Sequence, residues 1–307
     1  VNGARLLLDG LFDYAGLFPP EHLPLASVVE RYAAYRRGAD SWMLGRLVVP
    51  IDQLAAVEDA ATALPDEARG FPWGLSVLGS GSVEDDRPTL ADFTARQQRT
   101  DERLRITSVE VRVGSPLEAR RVRALAADGW DVYCEPVAAG DAVLDAIAIA
   151  GMRAKLRAGG VRADQIPSAE AVARLLAGCV QRGISMKATA GLQHAVSGSY
   201  PLTDEPGSPC AGMHGYLNLL VAAGVAEAAG AAAVRAPEVV DAIARILQLT
   251  RTPMFTAGGV LEWVDGNGPL TEGPLHEIAP GARALVRGIG SCSFEDPVAD
   301  ARALGLG

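Results

Sequence analysis

Residues 151–194 read GMRAKLRAGGVRADQIPSAEAVARLLAGCVQRGISMKATAGLQH, and this stretch decides the fold. Two short runs, RAKLRAGG (153–160) and SMKATAG (185–191), each set one lysine in an apolar segment that glycine closes. Between them Pro167-Ser168 opens a helical pattern over Ala169–Gly178. Strand, loop, helix, strand is the βαβ unit, so the two strands are expected as parallel neighbours. Their carboxyl ends then open on the same side, and Lys155 and Lys187 sit at a similar distance from those ends, aimed at one pocket. A lysine inside a buried strand is costly unless it is paired or used. Strand alternation also puts Arg153, Lys155 and Arg157 on one face, which therefore cannot be apolar core.

The same pattern extends outward in both directions. Apolar runs at 4–16, 45–50, 73–79, 106–114 and 130–136 read as five earlier strands, and 282–294 as an eighth. Helical patterns follow at 26–36, 51–64, 90–100, 116–129 and 141–150, with a short closing one at 295–305. A long apolar helix, 213–230, comes after the seventh strand. Eight strands, each followed by a helix, indicate a (β/α)8 barrel, which commonly takes about 250 residues. The 307 residues then form one domain, with residues 231–281 as an insertion. That insertion carries a helix near 237–249 and a hairpin, PMFTAGGVLEWVDGNG, with a Gly-Asn-Gly turn. In an alternative count, MFTAGGV (254–260) is the eighth strand and the tail adds an edge element. An open doubly wound sheet is the other arrangement such a pattern allows.

Composition narrows the partners. The formal charge is −9, so neither a nucleic-acid backbone nor an anionic membrane is attracted overall. An anionic substrate must be drawn by a local cluster of Arg and Lys. Hydrophobic residues make up 49% of the chain but aromatics only 5%, so Ala, Leu and Val fill the core. Cys134, Cys179, Cys210 and Cys292 form no CxxC pair and no zinc spacing, as expected for reduced thiols in the cytoplasm. No apolar run reaches the roughly 18 residues of a membrane span; Glu227 interrupts the nearest, 219–234. The apolar helix over 213–234 fits either burial against the barrel or a homo-oligomer interface. No cofactor is expected, since TAGGV at 256–260 is a lone glycine pair.

In a barrel of parallel strands, chemistry lies at the carboxyl ends. Those ends carry Asp13, Tyr14, Arg112, Glu135, Lys155, Arg157, Lys187, Ser291 and Cys292, and the following loop carries His194 and His214. A lysine desolvated beside a second cation has a depressed pKa and can attack a carbonyl as a neutral amine. The two lysines equally suit binding of an anion, or structural pairing with an acid such as Glu135. Glu135, Asp13 and Tyr14 are the candidates for moving protons. Arg157, Arg112 and the free amides of GIGSCSF would hold a small anionic metabolite. His194 and His214 bracket a long loop rich in glycine and proline, expected as a lid. With Glu135 they form the alternative, a metal-assisted isomerase or hydrolase. A non-catalytic anion-binding barrel is the reading from a different class.

RAKLRAGG and SMKATAGL resemble the two lysine strands of deoxyribose-phosphate aldolase and related class I aldolases. That resemblance implies imine formation at Lys155, with Lys187 tuning it, and carbon–carbon lyase chemistry. Arg157 stands where those enzymes have a small polar residue. Along the whole chain, DYAGLFPP (13–20), KATAGL (187–192), MHGYLN (213–218) and GSCSF (290–294) resemble a family of bacterial proteins that carries all four motifs but brings no activity with it. Members of that family have a histidine where this chain has Gln193.

Overall fold

In the computed structural model, which describes residues 3–100, 103–137, 140–255, 260–265 and 268–306, eight parallel strands close into a barrel. The first seven are β1 (Phe12–Tyr14), β2 (Leu44–Pro50), β3 (Trp73–Leu78), β4 (Leu104–Val113), β5 (Asp131–Pro136), β6 (Arg153–Arg157) and β7 (Met186–Thr189). A two-stranded hairpin follows, β8 (Gly198–Pro201) and β9 (Cys210–Met213). A three-stranded sheet comes next, β10 (Met254–Phe255), β11 (Val260–Asp265) and β12 (Gly268–Pro274). The eighth barrel strand is β13 (Val286–Ser291), which pairs with β1 on one side and β7 on the other.

The first expected strand divides. Gly3–Leu8 is a helix, α1, and only Phe12–Tyr14 joins the barrel. Leu7, Leu8, Leu11 and Phe12 are all buried, so an apolar run did not distinguish helix from strand there. The outer layer continues with α2 (Leu25–Arg37), α3 (Leu54–Ala63), the short α4 (Asp66–Arg69) and α5 (Val83–Gln98). Helix α5 begins at Val83, seven residues before the helical pattern expected from residue 90. Ser82 accepts a hydrogen bond from the Asp85 amide, and Glu84, Asp85 and Asp86 lie at the positive end of the helix. Then come α6 (Pro116–Ala127), α7 (Asp141–Ile149) and α8 (Ala169–Arg182). Ser168 caps the start of α8, and Gly183, at φ 64°, closes it.

Helix α9 (Tyr216–Ala233) precedes the expected insertion and ends inside it; the insertion then holds α10 (Pro237–Leu247), the three-stranded sheet and the start of α11 (Leu275–Leu285). β10 lies in that sheet and not in the barrel, so MFTAGGV is not the eighth strand, and the sheet is closed, not open. The turn residues Gly266 and Asn267 and most of TAGGV lie outside the described residues. Helix α9 is long and apolar enough to cross a membrane by composition. It packs instead against α8, α10 and α11, with Tyr216–Gly224 buried. The closing helix is α12 (Glu295–Ala303).

Strand alternation decides what the barrel encloses. Leu47, Val49, Leu75, Val77, Val109, Val111, Val132, Ala154, Leu156, Met186 and Ala188 form the apolar layer under the helices. The opposite parity faces inward, and it is polar: Asp13, Ser76, Ser108, Glu110, Tyr133, Lys155 and Lys187 are all buried. Side chains paired across neighbouring strands share a face, and the register matches Ser76 with Ser108, Glu110 with Tyr133, and Lys155 with Lys187. Barrel interiors usually fill with branched apolar side chains. A centre built of ionisable groups departs from that pattern and marks where this sequence gives stability away for a site.

The glycines that close the two lysine runs have a packing reason. A Cβ on Gly159 would come within 2.8 Å of the Gly191 Cα, and one on Gly191 within 2.9 Å of the Gly159 Cα. The loops after β6 and β7 therefore touch backbone to backbone. Ala190 (φ 62°) and Gly191 (φ 66°) are both left-handed there, so the turn at the barrel mouth is held in a strained shape.

Candidate active site

Lys187 lies at the centre of the barrel, where its Nζ donates to Asp13 Oδ2 at 2.7 Å and to Glu110 Oε1 at 2.5 Å. All three side chains are essentially inaccessible: Lys187 is 1% exposed, Asp13 0% and Glu110 2%. Lys155 Nζ sits 2.9 Å from Glu110 Oε2 and 2.9 Å from Glu135 Oε2. Glu110 thus holds both lysines, one with each oxygen. The Ser76 hydroxyl donates to Glu110 Oε1 at 2.6 Å and is itself 2.7 Å from Ser108 Oγ. The Arg46 amide donates to Asp13 Oδ1 at 2.7 Å, and Glu135 Oε1 lies 3.2 Å from Arg112 Nε. Asp13 needs room that only glycine leaves, because a Cβ on Gly45 would lie 2.4 Å from its Oδ1.

The charges interleave, and this corrects the expected tuning. Two adjacent cations would have depressed a lysine pKa, but a carboxylate stands between them. Burial pulls Lys187 toward the neutral amine, yet Asp13 and Glu110 outweigh it, and the net shift is upward. Burial likewise pushes Glu110 up, and the two lysines more than reverse it, holding the carboxyl well below its usual 4.5. Lys187 is therefore an ammonium that anchors the network, and it reaches Lys155 only through Glu110.

A group whose folded pKa is depressed stabilises the fold fully above its unfolded pKa and loses that contribution as pH falls. For Glu110 the stability difference between wild type and Glu110→Gln is thus expected to stay constant above about pH 4.5 and to shrink below it. Urea midpoints measured from neutral to acid pH check this, and a gap that widens toward acid contradicts it.

Above the network a cavity of about 260 Å³ opens at the carboxyl ends of the strands. Glu110 and Lys155 form its floor, and Arg157, Gln193, Ser291 and Cys292 are among its walls. Phe18, Pro19, Leu202 and Met213 also line it. Leu202 follows β8 and Met213 ends β9, so the expected lid segment is a hairpin that forms part of the enclosure. Lys187 does not line the cavity; it lies beneath it. The Ser291 hydroxyl is buried with no hydrogen-bond partner, and Ser291 pairs in register with Tyr14, so its side chain belongs to the face turned toward the helices and not to the inward one.

Several expected residues point elsewhere. β1 is only three residues long, and Asp13 takes its inward position, so Tyr14 faces the helices. Its ring meets Tyr35 of α2 edge-on at 5.3 Å, which removes it from the proton-moving groups. His194 stacks on Tyr200 with ring centroids 3.7 Å apart and faces Asp300 at 3.4 Å. His214 lies 2.8 Å from the Pro167 carbonyl, two residues ahead of α9. Neither histidine lines the cavity, and neither meets Glu135. Among the described residues no group of three His, Cys, Asp or Glu side chains could hold a metal ion. Arg112 is largely exposed above Glu135. Cys292 lines the cavity but accepts a hydrogen bond from Gln193 Nε2 at 3.2 Å, and burial pushes its thiol up to about 11, so it is a poor nucleophile. The amides of GIGSCSF precede a helix whose first turn carries Glu295 and Asp296, so anion attraction there rests on Arg157 instead.

Glu110, Ser76 and Arg46 complete the network without having been singled out in the sequence. The signal for Glu110 was present: alternation in ITSVEVRVG puts Ser108, Glu110 and Arg112 on one face, and only the last of these stands at the strand end.

No family model matches the chain, and no curated protein matches it in sequence.

Proposed function

We propose that the cavity over Lys155 is the active site of an imine-forming enzyme acting on a small anionic carbonyl compound. The barrel fold is compatible with an enzyme, and its carboxyl-end cavity is where such barrels work. The observation that carries the reading is a single lysine amine at the floor of that cavity, set between two carboxylates.

Glu135 Oε2 accepts the proton that Lys155 must lose to become a nucleophile. Its other oxygen faces the exposed Arg112, so it stands closer to solvent than Glu110 does. The Nζ lone pair then forms the bond to the substrate carbon as the C=O π pair moves onto oxygen, and one N–H proton passes from nitrogen to that oxygen, leaving a carbinolamine hydroxyl. Glu135 returns a proton to that hydroxyl, water leaves, and the C–N single bond becomes the iminium double bond. Glu110, kept ionised by Lys187, lies 2.9 Å away and stabilises this cation. The bond between the α- and β-carbons then breaks: Glu135, again a carboxylate, takes the proton of the β-hydroxyl, whose carbon becomes a carbonyl, and the bonding pair forms an enamine that is protonated at carbon and hydrolysed from Lys155 by water, a lyase or aldolase step. Arg157 holds the substrate's carboxylate or phosphate at the mouth.

The test is borohydride reduction of the full chain with a panel of small aldehydes and keto acids, with and without an anionic group, read by intact mass spectrometry. At least one anionic carbonyl is expected to leave a stable adduct of its own reduced mass. No adduct with any carbonyl overturns the reading.

A further inference from the structure

The amino end of the barrel carries a second cavity, of about 770 Å³, whose walls are mostly arginine. Arg46 comes from β2, Arg153 opens β6, Arg287 lies in β13, Arg283 near the end of α11, and Arg5 in α1. Two carboxylates, Asp9 and Asp131, lie among the lining residues against these five cations. The chain as a whole carries −9, so this concentration of positive charge runs against the molecule's own balance.

Some of these cations are committed. Arg153 pairs with Asp131, and Arg46 donates to Thr107 Oγ1 at 2.8 Å and faces Asp13 at 3.7 Å. Others are in no direct ion pair. Arg283 donates to the carbonyls of Val286, Asp9 and Arg287, and burial, with the Arg287 charge, outweighs the more distant Asp13 and Asp9 and pulls its pKa down. Arg5 lies over the Trp42 ring at 5.2 Å. Among the described residues, Arg5 and Arg287 form no ion pair. The cavity is closed off from the carboxyl-end site by the Tyr133 ring. Lys187 Nζ is 5.7 Å from its centroid and the Arg153 guanidinium 5.9 Å.

We propose that this amino-end cavity is a binding site for a compact phosphoryl polyanion, separate from the catalytic cavity. Guanidinium groups enter it from two helices and three strands, so their donors converge from several directions. A planar carboxylate takes donors mainly in one plane, whereas the tetrahedral oxygens of phosphoryl groups accept from many. A ligand with two phosphoryl groups supplies the direct anionic partners that Arg5, Arg283 and Arg287 lack among the described residues. A singly charged anion satisfies one guanidinium and leaves the others repelling each other.

Inorganic pyrophosphate is the probe, titrated calorimetrically into the full chain at constant ionic strength. One site per chain is expected, with a dissociation constant below about 1 mM that weakens with added salt. Arg5→Ala/Arg287→Ala removes two exposed arginines that bear no structural ion pair, and it is expected to weaken binding at least tenfold without lowering the melting temperature. Lys155→Arg and Arg157→Ala, which alter the other cavity, are expected to bind as wild type does. If binding is absent, or survives in the double variant, the proposal fails. Loss of binding in Arg157→Ala instead would place the anion at the carboxyl end and overturn it equally. None of these outcomes depends on imine formation.

Discussion

Lys187→Met is expected to destabilise the protein by about 3–5 kcal/mol, the cost of stranding buried charges by removing one partner. Methionine fills a similar volume, so the loss is electrostatic and not a cavity. Asp13 keeps the Arg46 amide at 2.7 Å, and Glu110 keeps Lys155 at 2.9 Å, but each loses its shortest charged contact. With both carboxylates almost wholly inaccessible, water cannot take the place of the ammonium. In urea the unfolding midpoint should fall while the slope of the transition stays the same. Asp13→Asn on the Lys187→Met background should restore part of the loss, because it removes one of the stranded charges. A midpoint unchanged in Lys187→Met contradicts the assignment of Lys187 as the anchor of the network.

Lys155→Arg is expected to keep the fold and lose the chemistry. A guanidinium retains the positive charge between Glu110 and Glu135, so the two carboxylates stay compensated. It is never deprotonated at accessible pH and forms no imine. Turnover of whichever carbonyl the panel identifies should drop by about 10³-fold or more, as loss of a covalent nucleophile does. The melting temperature should move little by comparison with Lys187→Met. The two variants therefore separate the proposed roles: Lys155, at the cavity floor, as the nucleophile, and Lys187, beneath it, as the charge that anchors the network. Residual turnover close to wild type in Lys155→Arg contradicts that division.

The barrel was legible because its signals are local. The first seven apolar runs end in proline or glycine, and Ser168 and Gly183 bound α8 by capping chemistry that sequence displays. The pairing of Lys155 with Lys187 followed from one βαβ unit. What failed was orientation at short or ambiguous elements. β1 has three barrel residues, so parity could not be read from the longer apolar run, and Tyr14 was placed inward beside Asp13 when only one of the two can point there. Which acid lies between the lysines is a property of barrel closure. Glu110 is on β4, two strands away from Lys155, and inward-facing side chains meet across the interior regardless of strand order. The histidines illustrate the converse. A position on the correct side of the barrel is not a position in the cavity, and His194 and His214 are occupied by Tyr200, Asp300 and the Pro167 carbonyl.

The most direct measurement is peptide-level mass spectrometry of the adduct left by borohydride reduction. The account predicts the reduced substrate carbon on Lys155, within the peptide that carries β6, with Lys187 unmodified. An adduct on Lys187, the one other lysine of the sequence, or on a terminal amine would contradict it.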